Sequence, residues 1–432
     1  MRAGLSRRAL GGLLGSGLLG SGLLGAGVLQ GRAFASPTAR SDRKFLFVFC
    51  EGGFDPTWVF APMLDVASVH TDTDVGAELR EQGGLRWVHN DRRGQVSTFL
   101  QDNAHRTCFI NGFEVRSVTH EACRRIIMTG GTGSTLDDWP SRIAAASPSA
   151  LLPSLVLSGP SYTYDNGSAV IRVGESGQLA RLISGEALAD GDLGVGLPSS
   201  AAQAEIEALL RRRIEARMGG SSTSQARFAE AMRSGIDQLG LVQGIEGLDL
   251  SVDADGWVFA SDRVEAALMA LELGLSRCIT VEHKGEWDIG WDTHSGLSRQ
   301  ENNYIVLFED LAAIMAALDS RVGLSGAPLS EEVTVVVFSE MGRAPGLNTT
   351  GGKDHWTFTS AMLIGAGVAG GKVIGAYDDS FIGRPIDLST GEADEHGTPL
   401  TSQHLGATLL ELAGIDPLAE LGIPAIQAAI SS

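Results

Sequence analysis

The chain has 432 residues, 43% hydrophobic and 20% charged, enough for a large core in one α/β domain with insertions or in two domains. A formal net charge of −19 argues against nucleic acid or an anionic membrane as partner, so a small anionic ligand would need a local cluster of Arg and Lys. Four cysteines are too few for a disulfide framework, and the lack of a Cys-x-x-Cys pair leaves redox chemistry without support.

Residues 1–35 read as a leader. Ser6-Arg7-Arg8-Ala9-Leu10 is a twin-arginine pattern, a Gly/Leu repeat follows, and Ala33-Phe34-Ala35 is an A-x-A cleavage signal before Ser36. The expectation is export by the Tat pathway to the periplasm or beyond. The repeat is rich in glycine and only mildly apolar, which favours cleavage over a stable membrane anchor. Removing it takes Arg2, Arg7, Arg8 and Arg32 and no acid, making the mature chain more negative still.

Phe45 to Cys50 reads as the first buried strand, followed by a glycine turn carrying Glu51 and Asp55. Thr107 to Ile110 is the next core strand, and its exit runs through Arg116 and Ser117 to Thr119-His120-Glu121. A short helix over Ala122–Met128 then carries Arg124 and ends at Thr129-Gly130-Gly131. Hydroxyl and imidazole groups at this helix start suit either an attacking group facing an anion or an ordinary N-cap. Leu155–Leu157 and Ala169–Val173 are strand candidates. From Ala201 to Leu241 the pattern is helical, interrupted by GGSSTS, and reads as an inserted layer or cap at about 200–245.

Asp262–Leu275 predicts a helix and Cys278–Val281 a strand, leading into a loop where Asp292 and His294 stand two apart. An extended chain there would point both to one side, able to share a metal or an anion, with Trp287 and Trp291 shielding them from water. An amphipathic helix covers Glu301–Leu318. Val333–Phe338 is a near-continuous β-branched run, which suits a central parallel strand buried on both faces. The charges begin where it stops: Glu340, Arg343, Lys353, Asp354 and His355 follow its carboxyl end, where open α/β sheets build their sites. Ala361–Ile364 is a further strand before a glycine-rich turn, and His404–Gly414 a late helix. Cys50, Cys108 and Cys278 lie in or beside apolar runs and read as buried small hydrophobes. Alternating strands and helices predict an α/β fold with a mainly parallel sheet.

Taken together, the leader, FVFCEGGFDP, THEACRRIIMTGG, WDTHSG, VVVFSEMGR, GGKDHW and HLGATLLELAG resemble the secreted family called domain of unknown function 1501. That family is similar in turn to the alkaline phosphatase and sulfatase superfamily. The resemblance runs from about Lys44 to Leu421 and implies a three-layer α/β/α domain. It places Glu51 or Asp55 among metal-binding acids, the nucleophile on His120 or Thr119, and Arg124 against the anion. It matches Asp292 and His294 to an acid and a histidine of the metal site, Glu340 to a ligand, and His355 to the last histidine. Met341 stands where a histidine or asparagine is usual, and Cys123 lacks the context for formylglycine conversion. The implied reading is an exported hydrolase acting on a phosphate or sulfate ester. One divalent metal (Ca, Zn, Mn or Mg) would be held by Asp55 or Glu51, Asp292, His294 and Glu340, with Arg343, Lys353, His355 and Arg124 clamping the anion. The rival is an envelope protein that has lost the chemistry and binds a polysaccharide or a protein partner.

Overall fold

The computed structural model describes residues 42–71, 76–147, 150–172, 199–218 and 261–431, with 225–237 described in part. The expected leader, the GGSSTS segment and residues 238–260 lie outside the described residues. Strands are β1 Lys44–Cys50, β2 Glu78–Gln82, β3 Leu85–His89, β4 Thr107–Glu114, β5 Ser154–Val156, β6 Val170–Arg172, β7 Cys278–His283, β8 Val333–Ser339, β9 Gly342–Arg343, β10 His355–Trp356, β11 Phe358–Gly365 and β12 Lys372–Ile374. Helices are α1 Gly94–Asn103, α2 His120–Thr129, α3 Trp139–Ala145, α4 Ser200–Met218, α5 Ser261–Glu272, α6 Ser298–Ser320, α7 Ser402–Leu412 and α8 Pro417–Leu421.

Eight strands form one sheet in the order β12-β4-β11-β8-β1-β7-β5-β6. β1 lies at its centre and pairs in parallel with β7 on one side and β8 on the other. Only β11 runs against the rest, between β4 and β8. The apolar runs seen in the sequence follow from burial on both faces. Phe45, Phe47 and Phe49 of β1 pack with α2, α3 and α7, while Leu46, Val48 and Cys50 pack with α1, α5 and α6. This alternation of side chains about a pleated strand makes a three-layer α/β/α architecture.

Several elements differ from the sequence expectation. The helix after β4 begins at His120, two residues early, which puts His120 in its first turn. The hairpin β2–β3 and helix α1 were not anticipated, because their polar faces dilute the apolar period. The glycine turn after β11 contains a strand, β12. Its Gly365-Ala-Gly367-Val-Ala-Gly370 has G-x-G-x-x-G spacing but leads into that strand, so it lacks the helix N-terminus such a motif needs to hold a phosphate. All four cysteines are buried and free. In α4, Arg211 pairs with Glu207 and Asp237, as a solvated helix face would. Among the described residues no helix is long and apolar enough to cross a membrane.

Candidate metal centre

The carboxyl ends of β8, β1 and β7 lie side by side, with that of β4 beyond the antiparallel β11, and the loops leaving them deliver the polar residues to one place. β1 exits through Gly52, whose positive φ of 116° and close approach to the Trp291–Asp292 peptide require glycine: a Cβ there would sit 2.4 Å from the Asp292 nitrogen. This contact seats the Asp292 segment against the sheet. Its cost falls on chain freedom, and its effect is a fixed carboxylate.

Three histidines surround that carboxylate. His120 Nε2 is 3.4 Å from Asp292 Oδ2. His294 Nε2 and His355 Nε2 each lie 3.2 Å from Asp292 Oδ1 and 3.0 Å from one another. In each ring the other nitrogen faces an acceptor. His120 Nδ1 is 2.9 Å from Glu340 Oε1, His294 Nδ1 is 3.0 Å from Asp354 Oδ1, and His355 Nδ1 is 2.7 Å from the Val118 carbonyl. An Nδ1–H donating outward leaves the Nε2 of a neutral imidazole as a lone pair, so three lone pairs and a carboxylate converge. Such a set can take up protons or hold a metal ion.

The donor atoms of His120, Asp292 and His355 all fall within 4.8 Å of each other. Bonds of about 2.0–2.1 Å to a tetrahedral ion put two donors roughly 3.3–3.4 Å apart, and the three Nε2–Asp292 separations, 3.2–3.4 Å, are of that size. Imidazole-rich sets of this kind fit zinc better than calcium, magnesium or manganese, which favour oxygen. Asp292 and His294 have 42% and 43% of their side chains exposed, so one side of the cluster is open to solvent.

The electrostatics follow. Hydrogen bonds to Asp292 and then Glu340 push His120 up to about 9, against the lowering effect of burial. Burial raises Asp292, but hydrogen bonds from His120, His355 and Arg343 outweigh it and hold the carboxyl far below the usual range. Asn348 and then His294 lower Asp354.

Arg343 braces the floor. Its side chain is wholly buried; Nη2 donates to Asp292 Oδ1 at 2.7 Å, to the Trp291 carbonyl at 3.1 Å and to the Gly52 carbonyl. Nε reaches the Gly53 carbonyl at 2.9 Å and Nη1 the Lys353 carbonyl at 3.1 Å.

The family described as Protein of unknown function (DUF1501) matches residues 42–423. The chain belongs to the DUF1501 family. No functionally curated protein matches it. Among solved structures, a crystal structure of Ps i-CgsB in complex with k-i-k-neocarrahexaose has a TM-score of 0.39 and 9% identity, covering 89% of this chain and 75% of that one. The PsFucS1 sulfatase from Pseudoalteromonas sp. has a TM-score of 0.31 and 11% identity, covering 88% and 68%. BT4656, in complex with its substrate D-glucosamine-2-N,6-O-disulfate, has a TM-score of 0.32 and 9% identity, covering 90% and 79%.

In this DUF1501 protein the remaining expected site residues are distributed differently from the sequence reading. Asp55 does not join Asp292. Its Oδ2 pairs with Lys353 Nζ at 2.7 Å in a buried ion pair, and its Oδ1 accepts from Thr57 N and Oγ1. Lys353 and Arg343, expected to clamp an anion, are thus buried and engaged by the protein itself. Glu340 stands behind His120: both its oxygens accept from Gly52 N, at 2.9 and 3.0 Å, so it orients a histidine and stays out of the donor cluster. Glu51 Oε1 meets Arg124 Nη1 at 3.3 Å, in a chain with Lys284 and Glu282. Burial and then Glu51 push Glu282 up to about 7. Thr119 is exposed at the N-cap of α2 with its hydroxyl 3.4 Å from Ser117 Oγ. His120 is occupied by two carboxylates, which suits a ligand better than a nucleophile. Trp291 is buried, but Trp287 is exposed and does not shield the cluster. The sequence reading placed Asp354 at the site without giving it a role, and missed the Val118 carbonyl as a support; the adjacency of Asp354 to His355 was the available signal.

Proposed function

We propose that this DUF1501 protein is an exported, metal-dependent hydrolase of phosphate or sulfate esters, with one divalent ion held by His120, Asp292, His294 and His355. The observation that carries the reading is the turning of three Nε2 atoms onto one carboxylate while every Nδ1 is held by an acceptor. An ion in that set supplies Lewis acidity toward an ester oxygen and acidifies water. Glu340, Asp354 and the Val118 carbonyl fix the three rings, and Arg343 fixes Asp292. Arg124, one turn beyond His120 on α2, would meet an anionic group by exchanging its Glu51 partner for it. The open side of the cluster supports a catalytic site rather than a closed structural one. Residues 1–35 act as the cleaved Tat leader, residues 36–432 form the working domain, and the helices near 200–245 are its insertion.

A second reading is favoured by one observation: the Thr119 and Ser117 hydroxyls face each other at 3.4 Å while both ring nitrogens of His120 face carboxylates, so His120 is not placed to activate either hydroxyl. On that reading the protein binds a metal and an envelope ligand, a polysaccharide or protein, without turnover.

The test is elemental analysis of the folded protein and of Asp292→Ala, followed by assays on p-nitrophenyl phosphate and p-nitrophenyl sulfate. The expected result is near-stoichiometric zinc in the wild type, absent from the variant, with hydrolysis that follows the metal. A loaded protein inert on every ester supports the binding reading. A folded wild type that takes up no metal ends both.

A further inference from the structure

Helix α4 and the helical residues of 225–237 form a pair, tied by Arg211 Nη1 to Asp237 Oδ1 at 2.6 Å. The 19 residues of α4 run about 28 Å, and the six residues 219–224 are too few to return along that length, so the two helices lie antiparallel. Ile214 on α4 and Ala229 on the second helix are buried, yet neither belongs to the clusters that flank the sheet. The pair thus buries its inner side apart from the main core.

Its outer side leaves large apolar side chains in water. Ile206, Leu209 and Leu210 on α4 are 48%, 45% and 37% exposed, and Phe228 and Met232 on the second helix 60% and 37%. Spacings of three and four residues put each set on one stripe. In each helix the stripe lies about 80° to the same side of the buried residue. In an antiparallel pair this sets both stripes on one face, a contiguous apolar patch of the kind that marks an interaction surface.

The charges on that face say what fits it. Glu205, Leu209 and Arg213 make one row along α4, with an acid a turn before the leucine and a base a turn after it. Glu207 and Arg211 bind one another, whereas Glu205 and Arg213 are exposed and have no partner among the described residues. A second α4 crossing antiparallel at Leu209 sets each Glu205 against the other's Arg213; crossing in parallel, it would oppose like charges. Most of the surface repels another copy, since the chain carries a net charge of −19, but α4 has four arginines against three glutamates. Two copies can therefore approach here without that repulsion.

We propose that this face is an interface with a second copy of the chain, two helical pairs meeting across a twofold axis as an antiparallel four-helix bundle centred on Leu209 and Leu210. Such an interface must be self-complementary, and the Glu205–Leu209–Arg213 row is so. The proposal is independent of the ester-hydrolase reading.

Sedimentation velocity of the folded protein, from about 1 to 100 µM, reads the association. Wild type should be a dimer within that range, and Leu209→Glu a monomer throughout it with Tm unchanged. Glu205→Arg and Arg213→Glu each oppose like charges at two places in the dimer and should weaken it roughly tenfold, while their one-to-one mixture should regain the wild-type affinity as a heterodimer. A merely sticky surface would not give that recovery. Wild type that stays monomeric at about 100 µM overturns the interface. A lowered Tm in Leu209→Glu would then show that the chain itself covers the stripe, and co-sedimentation with phosphatidylglycerol vesicles that it takes up a membrane. A dimer that Leu209→Glu leaves intact places the contact elsewhere and also overturns it. Charge variants that associate as well alone as mixed overturn the antiparallel pairing.

Discussion

Arg343 directs its guanidinium to four backbone carbonyls and one carboxylate, all inside the protein. A buried cation is tolerated only when its donors are satisfied, and the flat fork of arginine can do this where an ammonium cannot. Arg343→Lys should therefore cost about 2–4 kcal/mol of folding stability in a urea melt, since it strands carbonyls of the Gly52-Gly53 turn. It should also weaken metal uptake by releasing Asp292 Oδ1. If stability and metal content both match wild type, the bracing role is refuted. The position was legible as a charge beyond a core strand, but its role was not, because sequence does not say whether an arginine fork faces ligand or backbone.

At the scale of elements, helix α7 shows how a start signal carries a pH dependence. Thr401 and His404 form a reciprocal cap, with His404 Nδ1 accepting from Thr401 N at 3.2 Å. Accepting requires an unprotonated Nδ1, and burial, then Arg116, lowers the His404 pKa. The unfolded chain therefore binds this proton at a higher pH than the folded one. Its contribution is fully present above the unfolded value of about 6.5 and is lost as pH falls through that value toward the folded one. His404→Gln keeps the acceptor without the titration, so the fall of Tm between pH 7 and 5 should be shallower in the variant; parallel curves would refute the cap's role. The strands were the most legible elements, because two-sided burial writes β1 and β8 as unbroken apolar runs. Helix α2 was read two residues short, and the direction of β11 was not readable at all: the apolar run Ala361–Ile364 carries no sign of which way it runs.

The whole molecule gathers the centre from remote parts of the chain: the His120–Glu340 contact spans 220 residues and that of Arg343 with Asp292 spans 51. A ligand that ties such loops together binds the folded chain and not the unfolded one, so it shifts the folding equilibrium. At about a hundredfold excess over Kd, zinc should add roughly 2.7 kcal/mol. The measurable outcome is a higher Tm with metal, reversed by chelator and absent in Asp292→Ala. A variant that responds as strongly as wild type would place the ion elsewhere.

The sequence alone determined the strand–helix alternation, the central place of the Val333–Phe338 run and the edge of the sheet where polar residues collect, because burial and periodicity are local properties written residue by residue. It also identified every donor in the histidine cluster as a candidate. Tertiary structure alone decided which of those candidates meet. Asp55 and Lys353 were available to the centre by position, yet they neutralise each other in the interior, and Glu340 turned to the Gly52 amide and to His120. Whether a carboxylate serves a metal, a lysine or a histidine depends on which partner the packed chain brings within about 3 Å, and no spacing along a single strand encodes that distance.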